Sequence, residues 1–170
     1  MKKLLLLLLA AAALLAVEVG RPLPQLTLSG KEGGRVDGKP FDSDTLKGKT
    51  TVIFYVDPDK KGLNEAFTDA LHAQHFDRSR YQSVAVVNMA ATWMPDFAIA
   101  SALKSKQRKF PDTIYVMDRR KKGVEVWGMS DDDANFAVLS KEGEVLYFRA
   151  GKIPEEEYET IFSIIRDAMR

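Results

Sequence analysis

Three short runs of β-branched and aromatic residues, each followed by a stretch with a different hydrophobic pattern, constrain this chain more than any other feature. The first is Thr51-Val-Ile-Phe-Tyr-Val56, apolar at consecutive rather than alternate positions, as in a strand covered on both faces. Past Asp57-Pro58-Asp59 the period changes: Leu63, Ala66, Phe67, Ala70 and Leu71 fall on one face of a helix. Ser83 to Met89 repeats the strand pattern. Pro95 to about Arg108 repeats the helical one, with Pro in the first turn and Phe97, Ala100 and Leu103 on one stripe. Thr113 to Met117 is a third strand, closed by the basic turn Arg119 to Gly123; Val124 to Trp127 fits either an extended or a helical piece. Asn135 to Ser140 and Glu144 to Ala150, joined by Lys141-Glu142-Gly143, read as a hairpin. Pro154 opens a last helix, with Glu155, Glu156 and Glu157 at the positive end of its dipole and Tyr158, Ile161, Phe162, Ile165 and Met169 facing inward.

Right-handed crossovers make the first three strands parallel, and the hairpin makes the last two antiparallel. The economical solution is an α/β fold with a mixed central sheet and helices on both faces. Arg21 to Asp42 is rich in Gly and Pro and reads as irregular, with a brief strand at Gln25 to Leu28 and turns at Gly33-Gly34 and Asp37-Gly38.

Ahead of this domain, Met1-Lys2-Lys3 and the apolar run Leu4 to Val17 have the form of a secretory signal peptide. The run is too short to cross a hydrocarbon core of roughly 30 Å as a helix, so no stable membrane anchor is expected after cleavage. Residues 1–16 are the expected signal, with Gly20 as a later cleavage point, and 21–170 the exported domain. The chain holds 25 Lys and Arg against 24 Asp and Glu; without Lys2 and Lys3 the sign reverses. Such a balance leaves no basic field for nucleic acid. There is no cysteine. Thiol-disulfide exchange, thiol peroxidase chemistry and cysteine-ligated metal are therefore excluded, although the compartment expected for an exported protein permits disulfides.

The order of elements is the thioredoxin-like arrangement. Val19 to Pro24 resembles the segment before the first strand of its exported, peroxiredoxin-like branch, and Asn135 to Val145 with Gly151 and Pro154 resembles the closing hairpin and last helix. More narrowly the chain resembles the YtfJ family of exported bacterial proteins, a group without established activity. The residues that carry this are Arg80-Tyr81-Gln82 leading into Val86-Val87-Asn88, Ile114 to Asp118, and Trp127 ahead of Phe136 to Leu139. The resemblance implies a periplasmic protein of a Gram-negative bacterium. Thioredoxins carry Cys-x-x-Cys just after the strand that matches Thr51 to Val56, where this chain has Asp57-Pro58-Asp59-Lys60-Lys61. They carry a cis-proline near the position of Ala134, which here follows Asp131-Asp132-Asp133. Both halves of the redox site are missing.

Several constellations remain. Asp57-x-Asp59-x-Lys61-Gly62 begins like a calcium loop, but Lys61 takes its fifth place and Thr68 the twelfth, where a bidentate Glu belongs. A turn that starts a helix is the commoner use of such acidic residues. His72 and His75, spaced i, i+3, could share a helix face and a metal, or could simply cap the end of that helix. Asp131, Asp132 and Asp133 read as a solvated loop. Alternatively, with Asp57 and Asp59, they form an acidic cleft for a divalent cation or a basic peptide at the carboxyl edge of the parallel strands, where one carboxylate should titrate abnormally. Trp93 and Trp127 are recognition surfaces or core packing, and Asn135 adjoins the aspartate loop. No cofactor motif is present: no phosphate-binding glycine loop, no nucleophile elbow and no HExxH. Two functions follow as expectations. One is a non-catalytic module that binds a periplasmic protein or peptide; the other is a metal-dependent or acid-base enzyme built on the acidic loops.

Overall fold

A computed structural model of the protein describes residues 17–170, and the expected signal peptide lies outside them. In chain order the elements are β1 (Thr27–Leu28), β2 (Gly33–Arg35), β3 (Phe41–Asp42), β4 (Thr50–Val56), α1 (Glu65–His72), β5 (Tyr81–Asn88), α2 (Asp96–Lys109), β6 (Thr113–Asp118), α3 (Lys122–Trp127), β7 (Ala134–Leu139), β8 (Val145–Ala150) and α4 (Tyr158–Ala168). Six strands form one sheet in the order β2-β6-β5-β4-β7-β8. The pairs β4–β5 and β5–β6 are parallel; β4–β7 and β7–β8 are antiparallel, as the alternation of patterns requires. The ambiguous piece before the aspartate loop is the helix α3.

The period-2 geometry of the strands sorts their side chains onto two faces. Val52, Phe136 and Val138 point to one face, where Phe67 and Leu71 of α1 and Ile161, Phe162 and Ile165 of α4 cover them. On the outer part of that face α2 packs Ile99 and Leu103 over Tyr115. Ile53, Tyr55, Val84, Val86 and Val116 point the other way, under Trp127, Met129 and the N-terminal residues Leu26, Leu28, Phe41 and Leu46. Both faces are therefore dry, which explains the unbroken apolar run of β4.

Two expectations need correction. Gly33-Gly34 is not a turn but the start of β2, which adds antiparallel to β6. A Cβ on Gly33, whose φ is +131°, would lie 1.8 Å from the Met117 carbonyl oxygen, so only glycine brings this backbone onto the sheet. Phe97 does not share the inner stripe of α2. The buried positions are Ile99 and Leu103, four apart, and Phe97 is 78% exposed. Residues 20–23 pair with the hairpin turn and the first residue of β8, the Gly20 amide donating to the Val145 carbonyl and the Leu23 amide to the Gly143 carbonyl.

Candidate functional site

The carboxyl ends of the three parallel strands place Asp118, Asn88 and Asp57 in a row, and the start of antiparallel β7 adds Asp133 beside Asp57. The loops after β4 and before β7 meet there, because the Asp57 amide donates to the Asp133 carbonyl at 3.0 Å. Asp57 also closes its own turn, its carboxylate accepting the Asp59 amide at 2.8 Å. This is the turn-forming use of the acidic pair. The Asp57 side chain is nearly sealed, at 4% exposure. Burial, with the neighbouring charges of Asp59 and Asp132, raises its pKa above the ordinary carboxylate range.

Asp131 behaves in the opposite way. Its two oxygens take Lys121 Nζ at 2.5 Å and Asn88 Nδ2 at 2.8 Å, and the hydrogen bond from Lys121 lowers its pKa. Asp132 adopts a left-handed backbone with φ +53° and is exposed; Asp133 turns its carboxylate back on the Ala134 amide. The five carboxylates thus share an edge without forming a common cage. Among the described residues no three His, Asp or Glu side chains group in a way that would hold a metal ion. The divalent-cation form of the acidic cleft is not built.

Three other candidates have different places from those expected of a binding surface. Trp127 is fully buried against Tyr55, and its indole N–H donates to the Pro24 carbonyl at 2.7 Å. It is core, the alternative its apolar surroundings favour. Asn135 is also buried. Its amide donates to the Ser130 and Tyr55 carbonyls at 2.9 and 3.2 Å while its oxygen accepts the Ser130 amide, so it fastens the aspartate loop to β4 and has no group left for a ligand. His72 is the last residue of α1, and His75 lies beyond it with φ +49°. The helix stops before the i, i+3 face exists, and His72 stands at its C-terminal end. Trp93 is the exception: at 89% exposure it stands in solvent, with Phe97 four residues on.

Two residues of this edge escaped sequence reasoning. Asn88 is 1% exposed at the end of β5, and only its hydrogen bond to Asp131 shows why a polar residue closes an apolar strand. Asp118 is completely buried at the end of β6. It accepts from the Tyr55 hydroxyl at 3.1 Å, the Gly123 amide at 2.8 Å and the Arg120 amide at 3.1 Å, and this ties α3 to the sheet. An aspartate directly after an apolar run and five residues before a glycine was the available signal. Burial and the Asp118 charge raise the Tyr55 phenol, which stays protonated as the donor this arrangement needs.

The sheet order and the site without thiols define the class: a cysteine-free thioredoxin-like domain, with acidic turns at the redox corner and, among the described residues, no cis peptide bond. Its fold matches the exposed lipoprotein thioredoxin Etrx1 of Streptococcus pneumoniae with a TM-score of 0.56 at 19% identity, covering 84% of this chain and 98% of that one. Within the class, the chain belongs to the YtfJ_HI0045 family, described as bacterial proteins of unknown function, whose model matches residues 25–168. It is 28% identical over 147 residues to an uncharacterized protein of Haemophilus influenzae, covering 83% of this chain and 77% of that protein. It is 21% identical over 161 residues to the uncharacterized protein YtfJ of Escherichia coli, covering 90% and 88%. Among the described residues no helix is long and apolar enough to cross a membrane.

Proposed function

We propose that this protein is exported to the periplasm and there binds a basic, aromatic-accepting segment of another exported protein, without catalysis, at the carboxyl edge of its sheet. The observation that carries the reading is the exposure of Trp93 and Phe97, the two largest apolar side chains left in solvent among the described residues. Exposed large aromatics of this kind can serve as anchors on a partner surface. They flank the acidic edge: the Asp96 carboxylate between them reaches Arg119 at 3.1 Å, just past the end of β6, and the chain leading to Trp93 leaves β5 at Asn88. Asp59 and Asp132, both exposed, stand over the neighbouring strands and supply negative charge for a cationic segment. Export rests on the basic start and apolar run of residues 1–17.

The enzyme reading, with Asp57, Asp59, Asp131, Asp132 and Asp133 as acid, base or metal ligands, has less support. Lys121 and Asn88 already occupy Asp131, and the set does not converge. The test is a peptide array of periplasmic sequences probed with the purified protein, its W93A/F97A variant and its D59N/D132N variant. Basic peptides should be retained by the parent protein. The aromatic variant should bind them at least about tenfold more weakly with an unchanged melting temperature, because exposed side chains contribute little to stability. The acidic variant should lose affinity most at low salt. Equal retention by all three proteins would remove this edge as the binding surface. For export, mass measurement of the periplasmic form should show a chain beginning between residues 17 and 21.

A further inference from the structure

The two margins of the six-stranded sheet are closed unequally. At one, β2 is only three residues long, and its last amide, that of Arg35, donates to the Lys39 carbonyl at 2.9 Å. At the other, β8 is six residues long and carries neither Lys nor Pro, the residues that commonly keep an edge strand from pairing. Only its start is covered. The Gly20 amide donates to the Val145 carbonyl at 2.8 Å, and the Val145 amide to the Arg21 carbonyl at 2.9 Å. Leu146 is then the extra residue of a bulge, since Val138 lies opposite Tyr147 while Leu139 lies opposite Val145. From Tyr147 to Ala150 the ladder is regular.

Register decides which way the backbone of that stretch points. The Gly151 amide donates to the Ala134 carbonyl at 2.9 Å, so the opposed residues Asn135 and Ala150 exchange no bonds with each other. Alternation along the ladder then turns Tyr147 and Arg149 toward β7, and Phe148 and Ala150 outward. Among the described residues no backbone bond outside the ladder reaches Phe148 or Ala150. Two amides and two carbonyls therefore line the open margin.

These four groups are self-complementary. About a two-fold axis at Arg149, an antiparallel second copy sets Phe148 opposite the partner's Ala150, and Ala150 opposite the partner's Phe148. Each pair exchanges an amide and a carbonyl in both directions, which satisfies every outward group of the stretch. The same pairs put a large, half-buried ring beside a small, exposed alanine on one face of the sheet. On the other face the two Arg149 side chains meet at the axis. Each guanidinium already holds its own Glu157 carboxylate, so two ion pairs meet there rather than two bare cations. An axis at Phe148 would instead set Ala150 against the bulged Leu146. The whole chains do not repel each other either, because their charges nearly balance. We propose that β8 pairs with the β8 of a second copy of this chain, joining two six-stranded sheets into one. The two acidic edges then face opposite ends of the joined sheet. The proposal does not rest on the peptide-binding reading.

Sedimentation equilibrium of the purified protein from about 10 μM to about 1 mM should show monomer passing to dimer, with a Kd on the order of 100 μM, because one strand pair buries less than a standard interface. Amide exchange over the same range locates the contact. The Phe148 and Ala150 amides should slow at least about threefold at the upper concentration, while those of Tyr147 and Arg149 stay protected throughout. A150P removes only an outward donor, which an edge strand tolerates, and should weaken association at least about tenfold with the Tyr147 and Arg149 amides still protected. A150E keeps the backbone donor but sets a carboxylate against the partner's Phe148, and should weaken association in the same direction. The proposal is overturned by a protein that stays monomeric at the upper concentration, including one whose Phe148 and Ala150 amides are protected only by an added extended peptide. It is equally overturned by a dimer in which those two amides do not respond, or one that both variants leave intact.

Discussion

Asp57 and Asp131 lie on adjacent loops, yet their environments push their titrations in opposite directions, and this gives each a distinct pH signature. Asp57 is raised by burial and by the Asp59 and Asp132 charges. A raised carboxyl stabilises the fold below the ordinary carboxylate range, and that contribution is lost as pH rises through its native titration. D57N keeps an oxygen for the Asp59 amide and drops the charge, so at neutral pH it should melt roughly 1–4 °C above the parent, with the gain vanishing in acid. Asp131 is lowered, so its contribution is present above the ordinary range and lost as pH falls through its native titration. D131N should therefore lower stability at neutral pH. The loss should stay under about 1 kcal/mol and shrink in salt, because the Lys121 pair is about one-third exposed. Melting curves across acid to neutral pH for both variants check the pair; parallel curves would contradict it. Gly123 sets a steric limit at the same corner. A Cβ there would sit 2.2 Å from the Tyr55 ring, so G123A should cost about 3 kcal/mol as the buried Tyr55–Asp118 contact is forced apart.

Among the elements, the strands and long helices were legible in the amino-acid sequence because burial on two faces leaves an unbroken apolar run and burial on one leaves a helical stripe. Short elements were not. The strand β2 has the composition of a turn, and only its pairing with β6 makes two glycines extended. The end of α1 at His72 falls where the histidines were expected to close that helix. Asn64 explains part of how α1 is held. Its side chain accepts the Ile153 amide at 2.9 Å and donates to the Gly151 carbonyl at 3.1 Å, so it joins the start of α1 to the link between β8 and α4. N64A should destabilise by about 2 kcal/mol, because it leaves a buried amide unpaired. Hydrogen exchange should show lost protection at Ile153 before any change in β4 or β5, the reverse order being inconsistent with a local tie.

Across the whole molecule, two borders of one sheet carry different chemistry. The carboxyl edge has acidic turns with exposed aromatics, and the outer margin of β8 has open backbone groups. The candidate residues Asp57, Asp59, Asp131, Asp132 and Asp133 were legible because unlike residue types interrupt the apolar runs at strand ends. Their division into a raised, a paired and a solvated carboxylate was not. Trp93 and Trp127 look alike in the sequence, and only packing put one at 89% and the other at 0% exposure. Sequence alone determined the α/β order, the absence of thiol chemistry and the near-zero charge, since these follow from local periodicity and from which atoms the chain contains. The tertiary structure decided which polar groups end up without partners, the outward groups of Phe148 and Ala150 foremost. That depends on what strands and loops distant in the chain leave next to each other when the sheet closes, and no local pattern encodes it.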